Sequence, residues 1–221
     1  MNILHSTVCQ KRRWLKLIKI NVEEDRGKQI LSYFNHILFQ YVNTNINFCV
    51  AGGAVRDLFS IGYVTSDVDV YFNNRREALL VERELRKKKA KVTFRNKQLT
   101  NLKFKGKKIQ LIRSVYYNNN IEGLIDNFDF TVCCGAVDRN SITLHNDFLM
   151  DLAAKRLVFH KINFPLSSMV RVHKYIRKGF RICNGNMLKL VQAIQGVDIH
   201  NVQQNVFEFY PDGNVKFISL D

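Results

Sequence analysis

The sequence has only 2 prolines and 11 glycines in 221 residues, too few for long structureless linkers or a collagen-like repeat. Acidic residues are also scarce: Asp and Glu total 19 against 34 Lys and Arg, a formal net charge of +15. Such a surplus calls for a polyanionic partner. Nucleic acid is the first candidate, and an anionic membrane surface is the weaker one. The five cysteines (Cys9, Cys49, Cys133, Cys134 and Cys183) form no Cys-x-x-Cys pair and no Cys/His zinc spacing. An odd count with two adjacent members suits reduced cytosolic thiols better than a disulfide framework. No apolar stretch approaches the roughly 20 residues of a membrane span. The first residues lack a basic region leading into an apolar run. A soluble, cytoplasmic protein is the expectation. Its 46% hydrophobic and 24% charged residues exclude wholesale disorder.

Periodicity orders the chain. Residues 1–20 are basic around Lys11, Arg12 and Arg13, with Trp14 and aliphatic residues interleaved. Ile30, Phe34, Ile37, Leu38 and Tyr41 recur at steps of three and four, predicting a helix within 23–43. Residues 47–51 read as a short buried strand that runs into Gly52 and Gly53 and then a helix over 54–60. Over 66–72 the pattern alternates: Asp67, Asp69 and Tyr71 face one way, Val68, Val70 and Phe72 the other. A charged helix over 75–90 carries a narrow stripe of Ala78, Val81 and Leu85. Its basic end at Arg86–Lys89 reads as a solvated face. Strands over 99–104 and 108–112 flank a Lys-Gly-Lys turn. Further strands are expected over 128–137, 141–145 and 156–160, and helices over 165–178, with Gly179 as C-cap, and 187–194. Segments 206–210 and 215–220 flank Pro-Asp-Gly-Asn, a hairpin signal. The order implies an α/β (α+β) fold: one mixed sheet with flanking helices and a small helical C-terminal appendage.

The chemistry concentrates in Gly52-Gly53-Ala54-Val55-Arg56-Asp57 and in Asp67-Val68-Asp69. Paired glycines between strand and helix let the backbone turn sharply and approach a ligand. The helix beyond aims free N–H groups and its positive dipole end at that ligand, and a triphosphate suits such a cradle. Arg56, in the first turn, offers a fork that reaches phosphate. Asp67 and Asp69 leave one face of a strand about 6.6–6.8 Å apart, and paired carboxylates on a rigid element suit Mg²⁺. Each piece alone is common, whereas their order and spacing together are specific.

The run AGGAVRDLFSIGYVTSDVDVYF resembles the signature of the DNA polymerase β-type nucleotidyltransferase superfamily. Within it, the run resembles the head domain shared by bacterial-type CCA-adding enzymes and bacterial poly(A) polymerases. The resemblance implies a polymerase β-like head domain over 1–160 and a short helical neck-like segment over 161–221 that ends in a β-hairpin. It implies that Gly52, Gly53 and Arg56 bind an incoming NTP and that Asp67 and Asp69 hold Mg²⁺. Residues 103–113 resemble the family's hairpin after the paired aspartates, with Gln110 where the family commonly places a Glu. Asp129-Phe130-Thr131-Val132 resembles the family's Asp-Phe-Thr strand and implies Asp129 as the third catalytic acid. Asp151-Leu152, Arg156-Leu157, Pro165-Leu166, residues 169–175 and Gly179-Phe180 resemble a later family passage. There Arg171 matches a nucleotide-binding Arg, and Lys174 stands in place of a second.

The chain departs from the family pattern in three further places. Asn127 and Phe128 replace two arginines, Phe164 replaces an acid, and no Glu-Asp-x-x-Arg template follows. The resemblance therefore implies a minimal nucleotidyltransferase that extends an RNA 3′ end, with a tRNA-like acceptor, rather than a templated CCA synthesiser. Two other readings stay open: a toxin-like transferase modifying tRNA or protein, and a catalytically inactive RNA-binding module. Tyr116 and Tyr117 beside Arg113 read as core or surface residues more readily than as base-stacking platforms. Cys133 and Cys134, like His145, His160 and His173, read as structural.

Overall fold

The computed structural model describes residues 16–113, 120–197, 207–209 and 215–217. The elements in chain order are β1 (Leu17–Ile20), α1 (Asp25–Ile37), β2 (Phe48–Ala51), α2 (Gly53–Ile61), β3 (Val68–Phe72), α3 (Arg75–Lys87), β4 (Lys91–Arg95), β5 (Leu99–Phe104), β6 (Lys107–Ile112), α4 (Ile121–Ile125), β7 (Gly135–Val137), β8 (Ile142–His145), α5 (Phe148–Ala153), α6 (Pro165–Arg177), α7 (Asn184–Gln195), β9 (Phe207–Phe209) and β10 (Val215–Phe217). The first eight strands form one mixed sheet in the order β1-β8-β7-β2-β3-β6-β5-β4, and β9 and β10 pair separately. Among the described residues, β3 and β6 are the only paired strands of this sheet that run parallel. A parallel pair needs a long crossover, and α3 with the β4–β5 hairpin supplies it.

The two faces of the sheet are covered unequally. On one face, Phe48, Val50, Val68, Val70 and Phe72 join the main core beneath α1, α2 and α3. Val172, Tyr175, Phe180 and Leu190 belong to the same core, so the segment of α6 and α7 shares it. On the other face, Cys49, Ala51, Cys134 and Ala136 pack with Leu124 and Ile125 of α4, and Leu17, Tyr71, Ile121 and Phe128 lean against them. Asp69 alternates onto this thinly covered face.

Several elements differ from the sequence expectation for identifiable reasons. The predicted 23–43 helix stops at Ile37 and continues as a short 3₁₀ turn, Phe39–Tyr41. Arg139 donates to the carbonyls of Phe39, Val42 and Asn43, so tertiary bonds satisfy acceptors that a longer helix would have used. The charged helix ends at Lys87, and Lys89 takes φ 71° to turn the chain.

The expected strand over 128–137 is interrupted by a 3₁₀ turn, Thr131–Cys133, and only Gly135–Val137 joins the sheet. Thr131 Oγ1 donates to Asp151 at 2.7 Å and draws the chain off the ladder. A Cβ on Gly135 would meet Leu144 at 2.9 Å and Phe148 at 3.0 Å, so only glycine fits this close approach. Residues 156–160 contribute two isolated bridges, Arg156 to Arg181 and Phe159 to Phe130, instead of a strand. Strands β1 and β4 and helices α4 and α5 were not anticipated. All five residues of β4 are exposed, which leaves no apolar alternation to read. The hairpin strands near the end are present. The 211–214 turn, the basic segment around Arg12, and Tyr116 and Tyr117 lie outside the described residues.

Candidate active site

Strand β2 delivers the chain to Gly52, whose φ of 76° and ψ of −128° lie where only glycine is at ease. Its N–H donates to Gly135 O at 3.0 Å, which pins the turn to β7. Gly53 opens α2, and a Cβ there would stand 3.1 Å from Ser66 Cβ and Oγ. The turn is therefore packed directly against the residue preceding Asp67.

Register explains the proximity. Ala51, the last residue of β2, lies opposite Asp69 of β3, and Asp69 lies opposite Gln110 of β6. Adjacent strands sit about 4.8 Å apart, so the glycine turn and the carboxylate pair share one end of the sheet centre. Val68 and Val70 are fully buried on the opposite face and hold the strand. Tyr71, next along the Asp69 face, has a pKa well above its ordinary value, first because burial disfavours the phenolate and then because Asp69 is close.

Asp67 stays half-exposed. Its Oδ2 accepts from Lys108 Nζ at 2.5 Å and from Gln110 Nε2 at 3.2 Å. Two oxygen-bearing side chains on one strand face suit a hard divalent cation such as Mg²⁺. Among the described residues no three His, Cys, Asp or Glu side chains gather as a metal site.

Asp129 is buried. Its Oδ2 accepts from Arg171 Nη1 at 2.9 Å and Ser168 Oγ at 3.3 Å, both on α6. The sequence reading had Asp129 as the third catalytic acid, and in the structure this carboxylate is bonded to the helix that carries Arg171.

The sequence reading had Arg56 reach a phosphate, and the structure sets it among protein partners. It is 4% exposed and faces inward. Its Nε and Nη2 lie 3.1 and 2.6 Å from Asp57 Oδ1, Nη2 also reaches Ser66 Oγ at 2.9 Å, and Nη1 donates to Tyr175 Oη at 2.5 Å. Every guanidinium nitrogen is thus committed within the protein. Asp57 spends its other oxygen on the Thr65 N–H at 3.0 Å, Thr65 Oγ1 at 2.6 Å and the Ser66 N–H at 2.8 Å. Burial alone would raise the Asp57 pKa. Arg56 and these bonds outweigh it and bring the carboxyl from 3.8 to about 2. The Arg-Asp pair therefore ties the start of α2 to the segment that leads into Asp67.

Lys174 lies in the last turn of α6 and is exposed. Lys178 follows one turn later. Burial, then the nearby Arg56 charge, lowers its pKa from the usual lysine value. Lys178 and Tyr175 escaped the sequence reading. Their spacing from Arg171 and Lys174, four residues each, was the available signal. Cys133 shares the Tyr175 hydroxyl at 2.7 Å, and burial pushes the thiols of Cys133 and Cys134 upward, as suits packing rather than nucleophilic residues.

The sequence model of a family described as "Gabija anti-defense 2 family protein" matches residues 25–155, which span β2, the glycine turn and both aspartates. The chain belongs to this family. A relative from Bacillus phage SPbetaL7, named "Gabija anti-defense 2", is 32% identical over 158 residues. The match covers 70% of this chain and 39% of the relative, so the chain spans about two fifths of that protein's length.

Solved structures similar to the chain include CCA-adding enzymes. A complex with CTP matches with a TM-score of 0.57 at 21% identity, covering 78% of this chain and 43% of that one. The Thermotoga maritima enzyme complexed with tRNA matches with 0.54 at 22%, covering 76% and 41%. A complex with ATP matches with 0.55 at 19%, covering 82% and 45%. The family member therefore has a nucleotidyltransferase fold similar to that of CCA-adding enzymes. Among the described residues no helix is long and apolar enough to cross a membrane.

Proposed function

We propose that the protein transfers a nucleoside monophosphate from an NTP to a hydroxyl at an RNA 3′ end, with a tRNA-like acceptor, and releases pyrophosphate. The observation that carries this reading is the register of Ala51 opposite Asp69, which puts the Gly52–Gly53 turn beside the Asp67/Asp69 pair. The turn and the first amides of α2 receive the triphosphate. Asp67 and Asp69 would hold Mg²⁺, which supplies charge neutralisation and activation of the attacking oxygen. Arg171, oriented by Asp129, and Lys174 on α6, with Lys178 just past its end, add positive charge toward the phosphates or sugar. Arg56 acts indirectly, through Asp57, by fixing the turn. In the reaction the acceptor oxygen bonds to the α-phosphorus, and the bond from that phosphorus to the bridging oxygen breaks. Pyrophosphate departs with the electron pair, and the hydroxyl proton passes to solvent. The formal charge of +15 supports a polyanionic acceptor.

Family membership favours a second reading of the acceptor: an RNA or protein whose modification counters the defence named in the family description. One experiment separates these readings. The protein is incubated with each labelled NTP, Mg²⁺, and either small RNAs or total protein, beside an Asp67→Asn/Asp69→Asn control. Label in RNA that disappears in the control supports the first reading, and label in protein supports a protein acceptor. No label, together with no calorimetric Mg²⁺–NTP binding, supports an inactive RNA-binding module.

A further inference from the structure

The sheet face that carries Asp67 and Asp69 continues across β6 and β5 to the edge strand β4, and register lines up two rows of side chains on it. Lys103 of β5 lies opposite Lys108 of β6 and opposite Lys91 of β4. Lys108 in turn meets Asp67, so three lysines on adjacent strands lead away from the acidic pair. Asp69, Gln110, Asn101 and Phe94 form the second row in the same way. Val68, Ile109 and Leu102, between the two rows, are fully buried in the main core, which sets both rows on the far face. Residues 91 and 94 of an unbroken strand would point to opposite faces. A register shift between Val92 and Phe94 turns Phe94 to the side of Lys91. Every residue of β4 is exposed, Phe94 by 52%, and Lys103 and Lys108 are exposed as well. Among the described residues the lysine ion pairs are those of Lys108 and Lys161, so Lys91 and Lys103 form none. Like charges directly opposite each other destabilise a sheet, and a polyanion laid along the row relieves that repulsion.

We infer that this face is the seat of the acceptor RNA's single-stranded 3′ segment, with its backbone along Lys108, Lys103 and Lys91 and a base stacked on Phe94. This rests on the RNA 3′-end reading above. The lysine row spans about 10 Å, two strand spacings. A stacked strand carries a phosphate about every 3.4 Å, so about three phosphates meet the three ammonium groups. Phe94 stands about 14 Å from Asp69, three strand spacings along its row. A base stacked there lies about four nucleotides back from the reacting 3′ end. An aromatic ring accepts the face of any base, and only a single strand has base faces to offer along its length.

The test follows a fluorescein-labelled single-stranded RNA of about 12 nucleotides by anisotropy over a range of salt concentrations. Lys91→Gln/Lys103→Gln is expected to bind at least about tenfold more weakly and to flatten the slope of log K against log salt by about 1.4, at about 0.7 per lost phosphate contact. Its melting temperature is expected at or above that of the wild type, because the cross-strand repulsion is relieved. Phe94→Ala is expected to weaken binding about 5- to 100-fold with the salt slope unchanged. Wild-type affinity in either variant overturns the proposal and leaves nucleotidyl transfer standing. So does a wild-type dimer that Phe94→Ala turns into monomers, since a second copy then covers this face. No RNA binding by the wild type overturns this proposal and the RNA acceptor of the reading above together.

Discussion

Asp57→Asn tests whether the glycine turn is held by its buried ion pair. Asp57 accepts from Arg56 on one oxygen and from Thr65 and Ser66 on the other. Asparagine keeps one acceptor oxygen, loses the charge, and leaves the Arg56 guanidinium, 4% exposed, without a counter-ion. Removing one partner of a buried pair costs about 3–5 kcal/mol. An independent lower figure follows from titration. A carboxyl moved from 3.8 to about 2 in the folded state stabilises it by about 2–2.5 kcal/mol at neutral pH, at about 1.36 kcal/mol per pH unit. The larger figure governs, because titration does not count the stranded arginine.

Because the folded pKa is depressed, the Asp57 contribution is complete above the unfolded value near 4 and disappears as pH falls from about 4 to about 2. Urea unfolding at pH 7 should show the variant about 3 kcal/mol less stable than the wild type. The gap should narrow progressively as the pH falls through that window, because the wild type loses what the variant never had. A difference under about 1 kcal/mol at pH 7, or a gap that does not change with pH, refutes the reasoning.

Tyr175→Phe removes the hydroxyl shared by Arg56 and Cys133; a loss of about 1–3 kcal/mol is expected for a buried donor left unmatched, read by the same urea titration. Gly52→Ala places a Cβ on a residue with φ of 76°. It should cost about 1–2 kcal/mol and appear as a lower melting temperature. Asp69→Asn should leave the melting temperature close to wild type while reducing labelled-nucleotide transfer at least about 100-fold, as loss of a transition-state charge partner does; full transfer by this variant would exclude the acidic pair from catalysis. Glu82→Gln removes the buried carboxylate that Arg113 approaches at 2.6 Å, and a loss of about 3–5 kcal/mol is expected, measured by urea unfolding.

The patterns that are local in sequence were legible. The period-two alternation over Val68–Phe72 shows its strand directly, since one face must be buried and the other not. The paired glycines before an apolar three-four repeat show the turn and the start of α2, because positive φ is cheap only for glycine. Together these were sufficient to place Gly52, Gly53, Asp67 and Asp69 in one motif, whose parts the register of β2 and β3 brings to one end of the sheet centre. They also implied the mixed sheet, which the CCA-adding enzymes share as a fold.

Tertiary structure decided which charged side chains remain available to a ligand. Arg56 meets Tyr175 across 119 positions, Asp129 meets Arg171 across 42, and Asp67 meets Lys108 across 41. No local periodicity reports such meetings. A charged side chain is long and flexible, and its choice between solvent, ligand and a buried partner depends on what the fold brings within about 3 Å. The backbone frame of the site therefore follows from short-range pattern. The commitment of Arg56 and Asp129 to α6 and its surroundings, and the arrival of Lys108 at the acidic pair, follow only from packing the sheet and helices together.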